Sequence, residues 1–432
     1  MAVTLDRHPP LPTGGFDQGQ GSRIRAVLDV GTSKFGCWIV RARRSGGFEL
    51  CGKGYQAADG MRSGEIVDGD DAELGIAAVV HEAEQAAGEE LRDVAVVTSG
   101  GSPLSSHGRV EIPLYGRAVD RTDMARALDA ARRQFDRPGR SILHLVPLEV
   151  SIDGSRPLRD PTGMRGESLQ VLAHAVSIDS RHVAQLRACL DGCHLDVTSI
   201  VAAGYASGWS VTTQEERERG VLVLDLGAGV SCAAHFFGGR LALLASVPYG
   251  GEHITADLAH GLATQRTHAE RIKSLYTSVQ ARHGDADQRI AVPHVGDPDG
   301  WPSGEVARSR LTEIARPRVE EILELVRSRL KEHAELFRTM PPSGLVLTGG
   351  ASRIEGLVEL VDEMFGLPVR FGRPDRIRSG EVFECEPCAS AANGALALCR
   401  GEDGGQGWRG EVSGSTIGRG WSRFRKWLRE NF

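Results

Sequence analysis

Two stretches of the chain repeat one arrangement of apolar and polar positions. Ile24 to Gly36 reads IRAVLDVGTSKFG and Gly220 to Ser231 reads GVLVLDLGAGVS: an apolar run, an aspartate, then small residues where bulky ones would pack better. Each continues into a returning strand, a turn and a third strand. In the first copy these are Phe35 to Ala42, Ser45 to Gly47 and Phe48 to Tyr55; in the second, Cys232 to Phe237, Gly238-Gly239 and Leu241 to Val247. A three-strand meander used twice predicts two related lobes with a cleft between them.

Helical spacing of apolar residues then predicts a helix over Asp71 to Gly88 and a strand over Val94 to Thr98. From about Gly100 to Val176 the pattern changes to strand (Gly108 to Leu114), helix (Thr122 to Gln134) and strands (Ile142 to Ile152, Ser168 to Val176), which predicts an α+β insertion. The first lobe resumes with a helix over Asp179 to Asp191, a strand over Val197 to Val201 and a helix over Ala202 to Val211, ending in a charged turn, Glu215 to Arg219. In the second lobe the spacing predicts helices from His253 to Leu262 and across Ala269 to Lys273. A long helical region over Val306 to Met340, broken or bent at Pro317, precedes the strand Gly344 to Leu347 and a helix from Ile354.

An aspartate at a strand end beside glycines sets a carboxylate next to exposed backbone N–H groups, which suits a phosphate and a hydrated Mg²⁺. Asp-x-Gly alone also makes ordinary hairpin turns. Its recurrence, followed late by Thr348-Gly349-Gly350-Ala351, points to a nucleotide triphosphate in the cleft. The phosphate residues are then Gly31, Thr32, Ser33 and Lys34 of the first loop and Gly227, Ala228 and Gly229 of the second, with Asp29 and Asp225 holding Mg²⁺ through water. Gly250 and Gly251 add N–H groups at a helix start, and Gly349, Gly350 and Ala351 let a flat ligand approach the backbone. Glu270 and Lys273 share a helix face and either reach a ribose and base or form a solvated charged surface.

The 432 residues, 41% hydrophobic and 25% charged with net charge −6, have the composition of a folded chain and argue against a general nucleic-acid binder. No apolar run approaches the roughly 20 residues that span a bilayer. Met1 to Ser22 lacks a signal-peptide core and reads as a disordered leader, which predicts a cytoplasmic protein with its eight cysteines as free thiols.

After a Gly-rich linker over 400–414, the last residues place Ile417, Trp421, Phe424, Trp427, Leu428 and Phe432 on one helical face at about 100° per residue. Arg419, Arg423, Arg425, Lys426 and Arg429 occupy the remainder, which predicts a basic amphipathic helix for an anionic membrane surface. Packing of this helix on the protein's own body is the alternative; the tether and the arginines favour the membrane.

The paired loops, the TGG segment and Ala269-Glu270-Arg271-Ile272-Lys273 resemble the superfamily of actin, hexokinase and the heat-shock chaperones. Ile142 to Val150 (ILHLVPLEV), Asp160 to Leu169 (DPTGMRGESL) and the basic terminal helix resemble one branch, the FtsA family of bacterial cell-division proteins. The resemblance spans about Ile24 to Phe432. It implies an α/β actin-like fold of duplicated ribonuclease-H-like lobes with an inserted α+β subdomain IC at 100–176. Subdomain IA then covers 24–99, 177–218 and 378–399, IIA covers 219–262 and 319–377, and IIB covers 263–318. It further implies ATP and Mg²⁺ binding, self-association into filaments, other division proteins as partners, and anchoring of the FtsZ ring to the inner membrane at midcell. The FtsZ C-terminal peptide would dock on IIB, with Arg308 and Arg318 as contacts.

Against the family's usual second loop, Ala228 replaces a glycine, Val230 a threonine, and Cys232 stands where an aspartate is common. These changes spare backbone binding and put orientation of an attacking water in doubt, so nucleotide binding with weak or absent hydrolysis is expected. A small-molecule kinase would need a catalytic aspartate that the insertion does not supply. A chaperone would need a long C-terminal domain, and a pilus-assembly adaptor would share the fold without the tethered terminal helix.

Overall fold

The computed structural model describes residues 24–42, 48–296, 304–374 and 387–400. In the first lobe the strands lie in the order Phe48–Ala57, Lys34–Ala42, Ile24–Val30, Asp93–Thr98, Asp196–Ala202. The second lobe repeats it as Arg240–Val247, Ser231–Phe237, Val221–Leu226, Leu345–Thr348, Val369–Phe371. In both, the meander pairs antiparallel and the remaining strands run parallel to its first member. Val221–Leu226 is apolar on both faces because helices cover both sides of the sheet, so its sequence runs apolar instead of alternating.

The lobes are joined by two helices that follow the last strands, Ala203–Val211 and Ser390–Arg400. A Cβ built on Gly394 would stand 1.7 Å from the Ala206 carbonyl oxygen, so the helices touch backbone to backbone and only glycine fits. Helix Gly69–Ala87 starts at an N-cap, Asp68, whose carboxylate accepts from the Asp70 and Asp71 N–H groups, and buries Ala72, Ile76, Val79, Val80 and Ala83 at helical spacing.

The insertion is an antiparallel sheet of Leu104–Pro113, Ser168–Asp179 and Arg140–Ile152 with helix Arg121–Phe135 packed on it. It covers the edge strand of the second lobe with side chains. Ser105 bonds the Leu244 backbone, His107 Nε2 donates to the Ala242 carbonyl at 2.7 Å, and His174 Nδ1 donates to the Leu241 carbonyl at 2.9 Å. These bonds serve the Leu241, Ala242 and Leu244 carbonyls and the Leu244 N–H on that edge. Burial holds both imidazoles below the usual histidine range.

Some expected boundaries move. The expected region Val306 to Met340 divides into strand Gly304–Ala307, one continuous helix Arg308–Lys331, and helix Ala334–Thr339. Pro317 sits inside the first helix on its exposed side, where water can serve the freed carbonyl, so the helix does not break. Glu215 to Arg219 is not a turn: Thr213 and Glu216 form a capping box that starts helix Gln214–Arg219. The helix expected from Ile354 begins at Leu357, after a 3₁₀ turn over Gly350–Arg353.

Candidate nucleotide cleft

The two aspartates end equivalent strands. Asp29 pairs in register with Gly36 across the first meander and Asp225 with Cys232 across the second. Beyond each, the same tight turn follows: a Cβ on Gly31 would stand 2.8 Å from the Lys34 carbonyl oxygen, and one on Gly227 would stand 2.7 Å from the Val230 carbonyl oxygen. The two turns then meet across the cleft, since a Cβ on Gly229 would lie 2.5 Å from Thr32 Oγ1. Thr32 is buried, Ser33 is exposed, and Lys34 extends its ammonium over the Tyr55 ring, 5.0 Å from its centroid.

Electrostatics at this point suit a cation. Burial pushes the Asp29 carboxyl up to about 7; Lys34 opposes the shift and the Asp225 carboxylate adds to it. Asp225 is pushed up to about 6 by burial, opposed by the Ser207 hydroxyl, which donates to its Oδ2 at 2.5 Å. Two carboxylates held above their ordinary values in one cleft gain from a divalent ion with oxygen ligands.

The remaining residues assemble around the second loop. Gly349, at φ 88°, leaves no room for a side chain: a Cβ would stand 2.4 Å from Asp225 Oδ1. Gly251 would bring a Cβ within 3.1 Å of the Ala351 Cβ and 3.3 Å of Lys273 Nζ, which places these residues together, whereas Gly350 is exposed. The N–H groups at the start of helix Gly251–Gly261 are used internally: Gly250 donates to His253 Nδ1, Gly251 to the Gly227 carbonyl and Glu252 to that of Ala228. The glycines there let the loop rest on the helix start.

Glu270 and Lys273 are joined to each other. Lys273 Nζ donates to Glu270 Oε2 at 2.6 Å, to Thr255 Oγ1 at 2.8 Å and to the Gly251 carbonyl at 3.1 Å. Lys273 is buried and fixes the helix start beside the loop, while Glu270 stays largely exposed. Thr255, which donates to Glu270 at 2.5 Å, and Ser207 carried no motif in the sequence. Their roles emerge only when distant segments pack.

The basic pair on the long helix is also committed inside the protein. Arg308 bonds Asp285, Glu355 and the Tyr276 carbonyl with 13% of its side chain exposed. Arg318 pairs with Asp257 and Glu321. The expected membrane residues Arg423, Lys426, Trp421, Phe424, Trp427, Leu428 and Phe432 lie outside the described residues, as do the leader and 401–414 of the tail linker, whereas Arg400 ends the last described helix. Among the described residues no helix is long and apolar enough to cross a membrane.

Duplicated lobes of this strand order, closing on two aspartates, define an actin-like fold. The solved PilM–PilN type IV pilus biogenesis complex matches at TM-score 0.60 and 18% identity, covering 88% of this chain and 99% of that one. MreB5 of Spiroplasma citri bound to ADP matches at TM-score 0.53 and 12% identity, over 89% and 98%. Family models for "Cell division protein FtsA" and "SHS2 domain inserted in FTSA" match residues 222–393 and 100–177. The chain is 34% identical to the cell division protein FtsA of Agrobacterium fabrum over 95% of both chains, and 32% identical to that of Pseudomonas aeruginosa over 96% and 99%. It belongs to the FtsA family, cell-division proteins of the actin-like class.

Proposed function

We propose that the chain binds ATP with Mg²⁺ between its lobes, assembles into actin-like filaments and anchors the FtsZ ring to the cytoplasmic face of the inner membrane during septum assembly. The observation that carries the nucleotide reading is the meeting of the two loops, Thr32 against Gly229, with Asp29 and Asp225 at their base. The backbone turns of both loops would hold phosphates. Asp29 and Asp225 would hold the metal through water, which when bound supplies charge neutralisation for the phosphates. Lys34 and Ser207 set the charge and orientation of those carboxylates, and Lys273 with Glu270 and Thr255 props the floor on which the loop sits.

Hydrolysis is weak in this reading. Beside Asp225 the register partner is the buried thiol Cys232, and Val230 carries no proton-transfer group. A turnover above about 1 s⁻¹, the low end of common enzymes, would contradict it.

The cationic terminal face supports the membrane role, because each basic residue near anionic lipid contributes about 1 kcal/mol and a filament multiplies weak contacts. Sedimentation with anionic vesicles should pellet the full chain and release both a chain ending at Arg400 and Trp427→Glu. Equal pelleting of all three would remove the anchor. For the FtsZ tail peptide, Arg318→Glu should weaken binding at least fivefold, with a Tm loss from the broken Asp257 and Glu321 pairs that is smaller than that of Arg308→Glu. Arg308→Glu should lower Tm as well, because it breaks the Asp285 and Glu355 pairs. Unchanged affinity in both variants would reject these contacts.

A further inference from the structure

A small hairpin in the first lobe makes a contact that phosphate binding does not require. Met61–Arg62 pairs with Glu65–Ile66, and the turn passes through Ser63 at φ 47° and Gly64 at φ 82°. A Cβ on Gly64 would stand 2.8 Å from Val230 Cγ2, on the second lobe's phosphate loop, and 3.1 Å from Gly100 Cα. Val230 is 6% exposed, so its isopropyl group is closed off by this contact and its neighbours.

The hairpin is held firmly on its own side. The Gly64 N–H donates to Thr32 Oγ1 at 2.9 Å, so the tip and the first phosphate loop move as a unit. Glu65 accepts from the Gly101 N–H at 2.7 Å and from His182 Nδ1 at 2.8 Å. His182, itself buried, shares a 2.9 Å hydrogen bond with Thr98 Oγ1 at the end of the strand beside Ile24–Val30. Against this anchored tip, the second lobe presents an apolar branched side chain and the glycine that faces Thr32.

We propose that Gly64 and Val230 form a latch between the lobes, and that Val230 is a positioning residue setting how fast bound nucleotide escapes. The contact depends on shape: a left-handed glycine offers a bare Cα surface, and two methyl groups fill against it. The branched side chain's volume is thus used at the lobe junction. The escape-rate statement rests on the nucleotide reading above, whereas the latch itself is a property of the empty protein.

The test uses the full chain. Hydrogen exchange over 60–66 is read without nucleotide, and dissociation of a ribose-labelled fluorescent ATP with Mg²⁺ is read by stopped flow. Val230→Ala should speed both by about tenfold, the factor expected for removing two buried methylenes' worth of apolar contact. Val230→Thr keeps the branched shape but places a hydroxyl in the buried contact, so it should speed both by less than Val230→Ala does. Val223→Ala, a buried valine of the adjoining strand, serves as the stability control. It should lower Tm and leave both rates unchanged. Unchanged exchange in Val230→Ala, or equal acceleration in Val223→Ala, would overturn the latch. Failure of the wild type to bind the labelled ATP would overturn the nucleotide reading alone, because the exchange comparison stands without ligand.

Discussion

The two loops proposed to hold phosphates share a backbone and differ in chemistry. Both leave a strand through an aspartate, turn at a glycine whose Cβ would strike the carbonyl three residues on, and return in the same register. The first then presents Thr32, Ser33 and Lys34, whereas the second presents Ala228, Gly229 and Val230. Lys34 draws the Asp29 carboxyl down against burial; Asp225 has only the Ser207 hydroxyl and the bare edge of Gly349. Duplication thus preserved the shape of the grip and divided its work. One loop supplies polar groups, and the other supplies close approach and the lobe contact.

The largest test of that division is Gly349→Ala. A methyl at a positive φ, 2.4 Å from Asp225 Oδ1, must displace the carboxylate or the strand end. We expect a stability loss of about 2 to 3 kcal/mol and complete loss of the Tm rise given by Mg-ATP. Retention of both would show that the second aspartate is not confined as described.

Next in size is Asp29→Asn. Because the folded carboxyl is raised to about 7, its contribution to stability is present at low pH and is lost as pH rises through that value. Removing it should stabilise the nucleotide-free chain at pH 8 by about 2 kcal/mol after allowance for partial solvent screening, and change little at pH 4. Asp225→Asn should give a smaller gain, since its carboxyl rises only to about 6. In both variants the Mg²⁺-dependent part of the ATP-induced Tm shift should vanish; a gain independent of pH would refute the electrostatic account.

A histidine junction away from the cleft should respond to acid with the opposite sign. His107 and His174 are held below the ordinary histidine value, so their contribution is present above about pH 6.5 and is lost as pH falls. His107→Gln should flatten the decline of Tm between pH 7 and 5. The smallest effect concerns Ala228→Gly, which removes the methyl beside the expected phosphate path and should tighten Mg-ATP binding about threefold in a titration.

The repeat made much of this legible. Apolar runs ending in aspartate, and turn residues at matched offsets, placed both meanders, and the structure brings the aspartates, the paired glycines and Ala351 to one cleft. The roles of Ser207 and Thr255 could not be read because a buried hydroxyl on a helix has no local signature; it is defined by a carboxylate that arrives from elsewhere in the chain. Gly64 reads locally as a turn residue, and nothing nearby marks Val230 as its neighbour across the cleft. Lys273 and Glu270 were visible as a charged pair on one helix face, but the burial of the lysine beneath the Gly251 carbonyl depends on the packing of two helices.

Titration calorimetry of Mg-ATP into the full chain, at pH 6 and pH 8, addresses the grip most directly. One site per chain is predicted, weaker at pH 6, where Asp29 carries a proton, and lost in the Asp29→Asn and Asp225→Asn double variant. Absence of binding at about 1 mM nucleotide, or binding of equal strength in the double variant, would contradict the account.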